Sequence, residues 1–178
     1  YFEHQYQRAQ AMKGAKKVIL DVFKEYGDLT GRKYGLFEEY KMEDAERVIV
    51  VLNSSAGTAK VAADRLREKG EKVGVLKLRV FRPFPLEEIA KALANVKAVA
   101  VMDKCDSFSG IGGPVFTDVR HACYDLATRP LIVNYIYGLG GRDVTVDNFL
   151  YVFDKLSEVI KSGKTDDIYR HVGVRGVN

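Results

Sequence analysis

The chain has 178 residues, 47% of them hydrophobic and 29% charged, which suits one packed domain and excludes a disordered or fibrous chain. Its formal net charge of +4 is spread through Lys- and Glu-rich segments with no basic stripe interleaved by aromatics, so nucleic-acid binding is set aside. No apolar stretch has the length of a transmembrane helix and no signal-peptide pattern opens the chain, so a cytoplasmic protein without a membrane partner is expected.

In chain order, Ala11, Ala15, Val18, Val22 and Tyr26 recur at steps of three or four and predict an amphipathic helix from about Glu3 to Tyr26. Gly27-Asp28 and then Gly31 supply its stop. The chain opens YFEHQYQ rather than with Met, as expected of a fragment or a processed product. The stretch GRKYGLFEEYKMEDAE is polar with scattered aromatics and reads as the rest of a connecting arm, so residues 1–45 form a helical linker from a preceding domain. From Arg47 the pattern turns regular. Val48 to Leu52 is a β-branched run suited to a strand buried on both faces. Thr58 can cap a helix to about Lys69, with Gly70 in the stop position. Val73–Val80 is a second strand, and Pro85 suits the first turn of a helix over Leu86–Asn95. Ala98–Met102 is a third strand, Pro114 opens a helix to about Leu126, and Leu131–Ile136 is a fourth strand. Thr145 or Asp147 can cap a last helix with Phe149, Val152, Phe153, Leu156 and Ile160 on its buried stripe, ending at Gly163. This alternation predicts an α/β domain over residues 46–163, a mostly parallel sheet with helices on both faces and right-handed crossovers. Residues 164–178 carry no periodicity and form an irregular tail.

In such sheets ligands collect at the carboxyl ends of the strands. Four loops fall there: NSSAGTAK (53–60), RVFRPFP (79–85), DKCDSFSGIGGP (103–114) and YGLGGRD (137–143). The opposite connections are short and plain. In the first loop, Ser54, Ser55, Gly57 and Thr58 lead into a helix N-terminus and could hold a phosphate of a cofactor on backbone N–H groups. The spacing is neither GxxxxGK[ST] nor GxGxxG, and satisfying the helix start is the plainer reading. In the third loop, Gly110, Gly112 and Gly113 precede Pro114, and Asp103 could take a metal or a hydroxyl or bond its own loop's amides. Arg79, Arg82 and Arg142 offer planar forks for a carboxylate, a phosphate or an intersubunit ion pair. Cys105 and Cys123 lack a CxxC partner or a His at ligand spacing, so no metal site is expected. Their spacing leaves a disulfide open, but reduced thiols are the plainer reading. A nucleophilic Cys105 would need a base, and His4, His121 and His171 are dispersed. The residues alone describe an α/β domain with one decorated edge and no catalytic residue set.

The ordered series NSSAGTAK, LRVFRPFP, DKCDSFSGIGGPVFTDV and YGLGGRD resembles the carboxyl-terminal part of the alpha subunit in pyruvate:ferredoxin oxidoreductases, and more broadly the 2-oxoacid:ferredoxin oxidoreductase family. YQRAQAMKGA, GRKYGLFEEY and EDAERVIV are similar to that subunit's interdomain segment. The departures are local: Asn53-Ser54 where the family usually has Gly-Ser, Asp103-Lys104 where many relatives have Asp-Arg, and Ser109 near a common glycine. The resemblance implies a thiamine-diphosphate enzyme that decarboxylates a 2-oxoacid such as pyruvate, forms the coenzyme A thioester and passes electrons through iron–sulfur clusters to ferredoxin. It implies a fold similar to the transketolase carboxyl-terminal domain and a subunit that works beside beta, gamma and ferredoxin-like delta subunits. Thiamine diphosphate, Mg, coenzyme A and [4Fe–4S] clusters would serve the whole complex, with none expected on this fragment. Its implied work is assembly, through Arg79, Arg82, Gly112, Gly113, Gly138, Gly140, Gly141, Arg142 and Asp143. The alternative is a module that binds coenzyme A or another nucleotide by its phosphates.

Overall fold

A computed structural model describes residues 1–108 and 110–176. Ser109, one of the three local departures, and residues 177–178 of the tail lie outside the described residues. The elements are α1 (Phe2–Thr30), β1 (Phe37–Tyr40), β2 (Arg47–Leu52), α2 (Ser55–Arg67), β3 (Val73–Leu78), α3 (Leu86–Leu93), β4 (Ala98–Asp103), α4 (Pro114–Ala122), β5 (Leu131–Ile136), a short turn of 3-10 helix (Leu139–Gly141), α5 (Val146–Ser162) and β6 (Tyr169–His171). The sheet runs β1-β3-β2-β4-β5-β6. Only β1 is antiparallel to its neighbour.

The β-branched runs explain the layers. Alternate side chains of a strand point to opposite faces, so a run apolar at every position must be covered on both. Ile49, Val51, Val75, Ala100, Met102 and Tyr135 meet the buried faces of α2 and α5. Val48, Val50, Leu76, Val99, Val101 and Ile132 meet α3 and α4. Helix α5 starts at Thr145, whose Oγ1 accepts from the Asn148 N–H while the Asn148 side chain accepts from the Thr145 N–H.

The structure departs from the sequence reading at the ends of the chain. Helix α1 passes through Gly27-Asp28 and ends at Thr30, with Gly31 taking the left-handed stop. Its half-buried line is Ala15, Ile19, Phe23 and Gly27, whereas Val18, Val22 and Tyr26 are 60%, 54% and 40% exposed. Within the expected arm, Phe37–Tyr40 is an edge strand of the main sheet, with Leu36 and Ala45 buried beside it. Thr58 is no cap, because α2 begins at Ser55. Helix α4 stops at Ala122 rather than near Leu126. The tail, expected to be irregular, contributes β6, parallel to β5.

Gly74 fixes where the arm lies. A Cβ there would meet the Lys41 carbonyl oxygen at 2.8 Å and the Ala45 Cβ at 3.1 Å. Gly74→Ala is therefore expected to push residues 41–45 off β3 and destabilise the fold by about 1–3 kcal/mol. Chemical denaturation measures the loss, and faster amide exchange in β1 than in β4 locates it.

Candidate functional site

From β2 the chain leaves to α2 on one face of the sheet, and from β4 to α4 on the other. Between those two carboxyl ends lies the point at which strand order reverses. A cleft of about 340 Å³ opens there, lined by Asn53, Ser54, Ser55, Phe81, Lys104 and Tyr137 among others. Asn53 adopts φ 60°, a left-handed conformation that Gly takes freely and Asn better than most residues. The replacement of the family's usual glycine is thereby accommodated. Ser54 caps α2 without a side-chain hydrogen bond. The Tyr137 hydroxyl donates to Ser55 Oγ at 3.0 Å, and burial pushes its pKa up, so it stays a neutral donor. Gly57 and Thr58 sit inside the first turn of α2 and do not line the cleft. The helix start, the hydroxyls and Lys104 give this cleft the chemistry of an anion site.

The carboxylate beneath it is committed elsewhere. Asp103, 2% exposed, accepts from the N–H groups of Val115 and Phe116 at the start of α4, and from Asn134 Nδ2, all at 3.0 Å. Asn134, fully buried, also donates to the Val101 carbonyl and accepts from the Gly113 N–H. Burial pushes the Asp103 carboxyl above its usual range, while these hydrogen bonds oppose the shift. A side chain on Gly113 would overlap the Asp103 carboxyl carbon, and one on Gly112 would meet the Phe116 ring. These two glycines close-pack inside the chain. The positive end of α4 is thus neutralised by the protein's own acid and has no amides spare for a ligand.

Two of the arginines are also paired within the chain. Arg79 bonds Glu38 of β1 at 2.5 Å and lies 5.2 Å from the Tyr34 ring centre. Arg82 bonds Asp118 of α4 at 2.6 Å and stacks on Phe81. Arg142 donates to the Gly173 carbonyl at 3.1 Å, tying the YGLGGRD loop to the tail. Gly138, Gly140 and Gly141 adopt φ of 65°, 63° and 80°, and the last two would meet nothing with a Cβ added. Turn geometry, not crowding, requires glycine at those two positions. A second cleft of about 540 Å³ opens along this loop, lined by Arg142, Asp143, Thr145, Asn148 and Arg175 among others.

Sequence reasoning missed an anchor on the third loop. Asp106 accepts from the Tyr169 hydroxyl and lies 3.5 Å from His171 Nε2, while the two β6 rings meet edge-to-face at 5.1 Å. The Tyr169 bond leads in holding the Asp106 carboxyl below its ordinary range. Only recognition of β6 as a strand would have shown the pairing. Cys105 Sγ faces the Asp106 carbonyl rather than a histidine, and Cys123 is buried with its thiol pushed up to about 11. Among the described residues no group of three His, Cys, Asp or Glu side chains is placed to hold a metal ion. These cysteines and carboxylates therefore do not supply a donor set for magnesium or a [4Fe–4S] cluster. No helix of the described residues is long and apolar enough to cross a membrane.

Residues 45–149 match the family described as pyruvate:ferredoxin oxidoreductase core domain II. The chain is 42% identical over 175 residues to pyruvate synthase subunit PorA of Thermotoga maritima, covering 98% of this chain and 44% of that protein. It is 46% identical over 167 residues to ketoisovalerate oxidoreductase subunit VorA of Pyrococcus furiosus, covering 93% of this chain and 42% of that one. It thus spans less than half the length of these curated relatives. Among solved structures, 2-oxoglutarate:ferredoxin oxidoreductase from Magnetococcus marinus aligns with a TM-score of 0.50 at 20% identity, covering 77% of this chain and 21% of that one. A split-gene transketolase aligns at 0.53 and 16% identity, covering 70% and 43%. These two likenesses place the fold with the transketolase carboxyl-terminal type.

Asp103→Ala would orphan two backbone N–H groups and an amide in a buried site, at a cost of about 3 kcal/mol or more. Denaturant titration should show that loss. A drop below about 1 kcal/mol would mean that the amides find water instead. At the third-loop anchor, acid should act in one direction. Asp106 is held below its unfolded value, so its contribution is present above about pH 4 and is lost as pH falls through the depressed value. Tyr169→Phe should raise the Asp106 pKa, which carboxyl chemical shifts would follow.

Proposed function

Because the chain belongs to the pyruvate:ferredoxin oxidoreductase core domain II family, we propose that it is the second domain of the alpha subunit of a 2-oxoacid:ferredoxin oxidoreductase. The reaction is the oxidative decarboxylation of pyruvate with coenzyme A to acetyl-CoA and CO2, two electrons passing to ferredoxin. In the complex, thiamine diphosphate held by other domains stabilises the carbanion left by decarboxylation, and this domain supports the site's assembly. One observation carries the scaffold role: Asp103, Asn134, Arg79 and Arg82, the polar groups best placed for chemistry, are spent on partners within the chain.

Helix α1 supports the interface part of this reading. It has 29 residues, none of them buried, and its main ion pair to the domain joins Lys16 to Glu87 and Glu88 of α3. Phe2, Tyr6, Val18, Val22 and Leu29 are left exposed. Apolar area on that scale marks a covered surface. In our reading the preceding domain of the subunit covers it, residues 1–45 being the linker. The remaining partners are the beta, gamma and ferredoxin-like delta subunits of a cytoplasmic complex, with ferredoxin as acceptor. The curated relatives include both pyruvate and ketoisovalerate enzymes, so substrate choice rests on domains other than this one.

A second reading is favoured by Lys104 beside the α2 start and by Arg142 and Arg175 on the glycine-loop cleft: binding of coenzyme A phosphates at this edge. Titration of the full-length subunit with coenzyme A tests it, and silence at millimolar ligand would sink it. For the main reading, the full-length subunit should co-purify with its partners and give pyruvate- and coenzyme A-dependent ferredoxin reduction, whereas residues 1–178 alone should give no turnover. Arg142→Ala should weaken assembly about tenfold, a change worth about 1.4 kcal/mol. Unchanged assembly on native gels would remove Arg142 from the interface.

A further inference from the structure

We propose that the outer face of α4 and the turn after it form a docking site for an acidic segment of a partner subunit, gripped by Arg120 and Arg129. The site lies away from the carboxyl-end loops, toward the connections that the sequence presents as plain. Arg129 lies 4.9 Å from the Tyr124 ring centre and Arg120 5.8 Å from that of Phe116. Both guanidinium groups line one cleft of about 220 Å³ floored by Cys123, Pro130 and Ile132. Arg120 and Tyr124 also line the adjoining cleft of about 310 Å³ that runs to Ile111.

Charge indicates the occupant. Arg47, Arg67, Arg79, Arg82 and Arg170 each meet a carboxylate of this chain. Arg120 and Arg129 meet none among the described residues. Asp125, the acid between them in sequence, pairs with neither, and His121 adds a further potential cation beside them. A guanidinium stacked on a ring keeps its N–H fork in plane and oriented, which suits bidentate capture of a carboxylate. Basic residues in the last turn would serve the helix dipole, which accounts for Arg120 but not for Arg129, seven residues beyond the helix's final residue, Ala122. The apolar part indicates a protein rather than a free anion. Tyr124 is 64% exposed and Ile111 72%, so the cationic cleft continues into an apolar strip, the Tyr and Arg composition of interface anchors.

This inference rests on the subunit reading above, and one experiment separates the two. Full-length alpha subunit, unaltered or carrying Arg120→Gln with Arg129→Gln, is mixed with its purified partner subunits and followed by sedimentation at low and high salt. A parallel pair carries Arg120→Glu with Arg129→Glu, and thermal melts report folding. The glutamine pair should melt as the unaltered chain does, bind about tenfold more weakly at low salt and lose much of the salt dependence. The glutamate pair should bind more weakly still. Equal association of a folded variant refutes this site alone, whereas failure of the unaltered subunit to assemble refutes the subunit reading. A loss confined to self-association would assign the face to a second copy. Competition by millimolar inorganic phosphate at fixed ionic strength would assign it to a small anion. Either result overturns the proposal.

Discussion

Asp103 and Asn134 hold the place where the sheet changes direction. Asp103 ends β4 and Asn134 lies in β5, and between them they take the first amides of α4 and bond each other. A buried carboxylate is costly to desolvate, and hydrogen bonds to a charged group return roughly 1.5–3 kcal/mol each. Three such bonds at one carboxylate make the arrangement tenable only while every member is present. Gly112 and Gly113 follow from the same demand, because the loop must pass against Asp103, Asn134 and Phe116 without side chains of its own. The resulting junction fixes α4 on its face of the sheet and sets the floor of the switch-point cleft.

That constraint also explains why the decorated edge does not look like an active site. A catalytic acid needs a proton it can exchange with a substrate, and Asp103 is 2% exposed with its oxygens already bonded. A phosphate site needs amides without partners, and α4 has given its own to Asp103. Arg79 reaches back to Glu38 on the edge strand β1, and Arg82 reaches across to Asp118 on α4. These pairs join neighbouring elements at the surface. Their individual stabilities are small, but they hold loops in register. The loops are stiffened as a set, which suits a surface presented to other parts of a large enzyme.

The sequence carried the centre of the fold well, for a physical reason. Val48–Leu52 and Ala98–Met102 are buried on both faces, and continuous apolar runs broken by helical spacing admit few arrangements. The edges were hidden. FEEY in β1 has two acids in four residues, and YRH in β6 has only three residues, so neither shows strand periodicity. Each is defined by a neighbour's free edge rather than by its own pattern. The face of α1 was misread because the helix is only half-engaged, and the line through Ala15, Ile19 and Phe23 competes with the equally apolar line through Val18, Val22 and Tyr26. At the site, residue types were legible and partners were not. Asp103 bonding its own loop's amides followed from its place before a glycine-rich helix start. Its partner Asn134, inside an apolar strand 31 residues away, could be found only in three dimensions.

The contrast between the two sides of α4 carries the argument furthest. Its inner face and first turn are fully committed, with Val115, Phe116 and Val119 buried and the amides capped by Asp103. Its outer face combines stacked arginines with exposed Tyr124 and Ile111, a composition that serves no internal purpose beyond the helix's last turn. Helix α1 shows the same division, with one line of residues against the domain and a second apolar line left over. A domain that meets its polar needs internally at the strand ends, yet leaves mixed apolar and cationic faces on two helices, is built to be surrounded. Its contribution to catalysis is then positional. It fixes the relative placement of neighbours, and damage to these helix faces should impair the complex without altering any group that touches substrate.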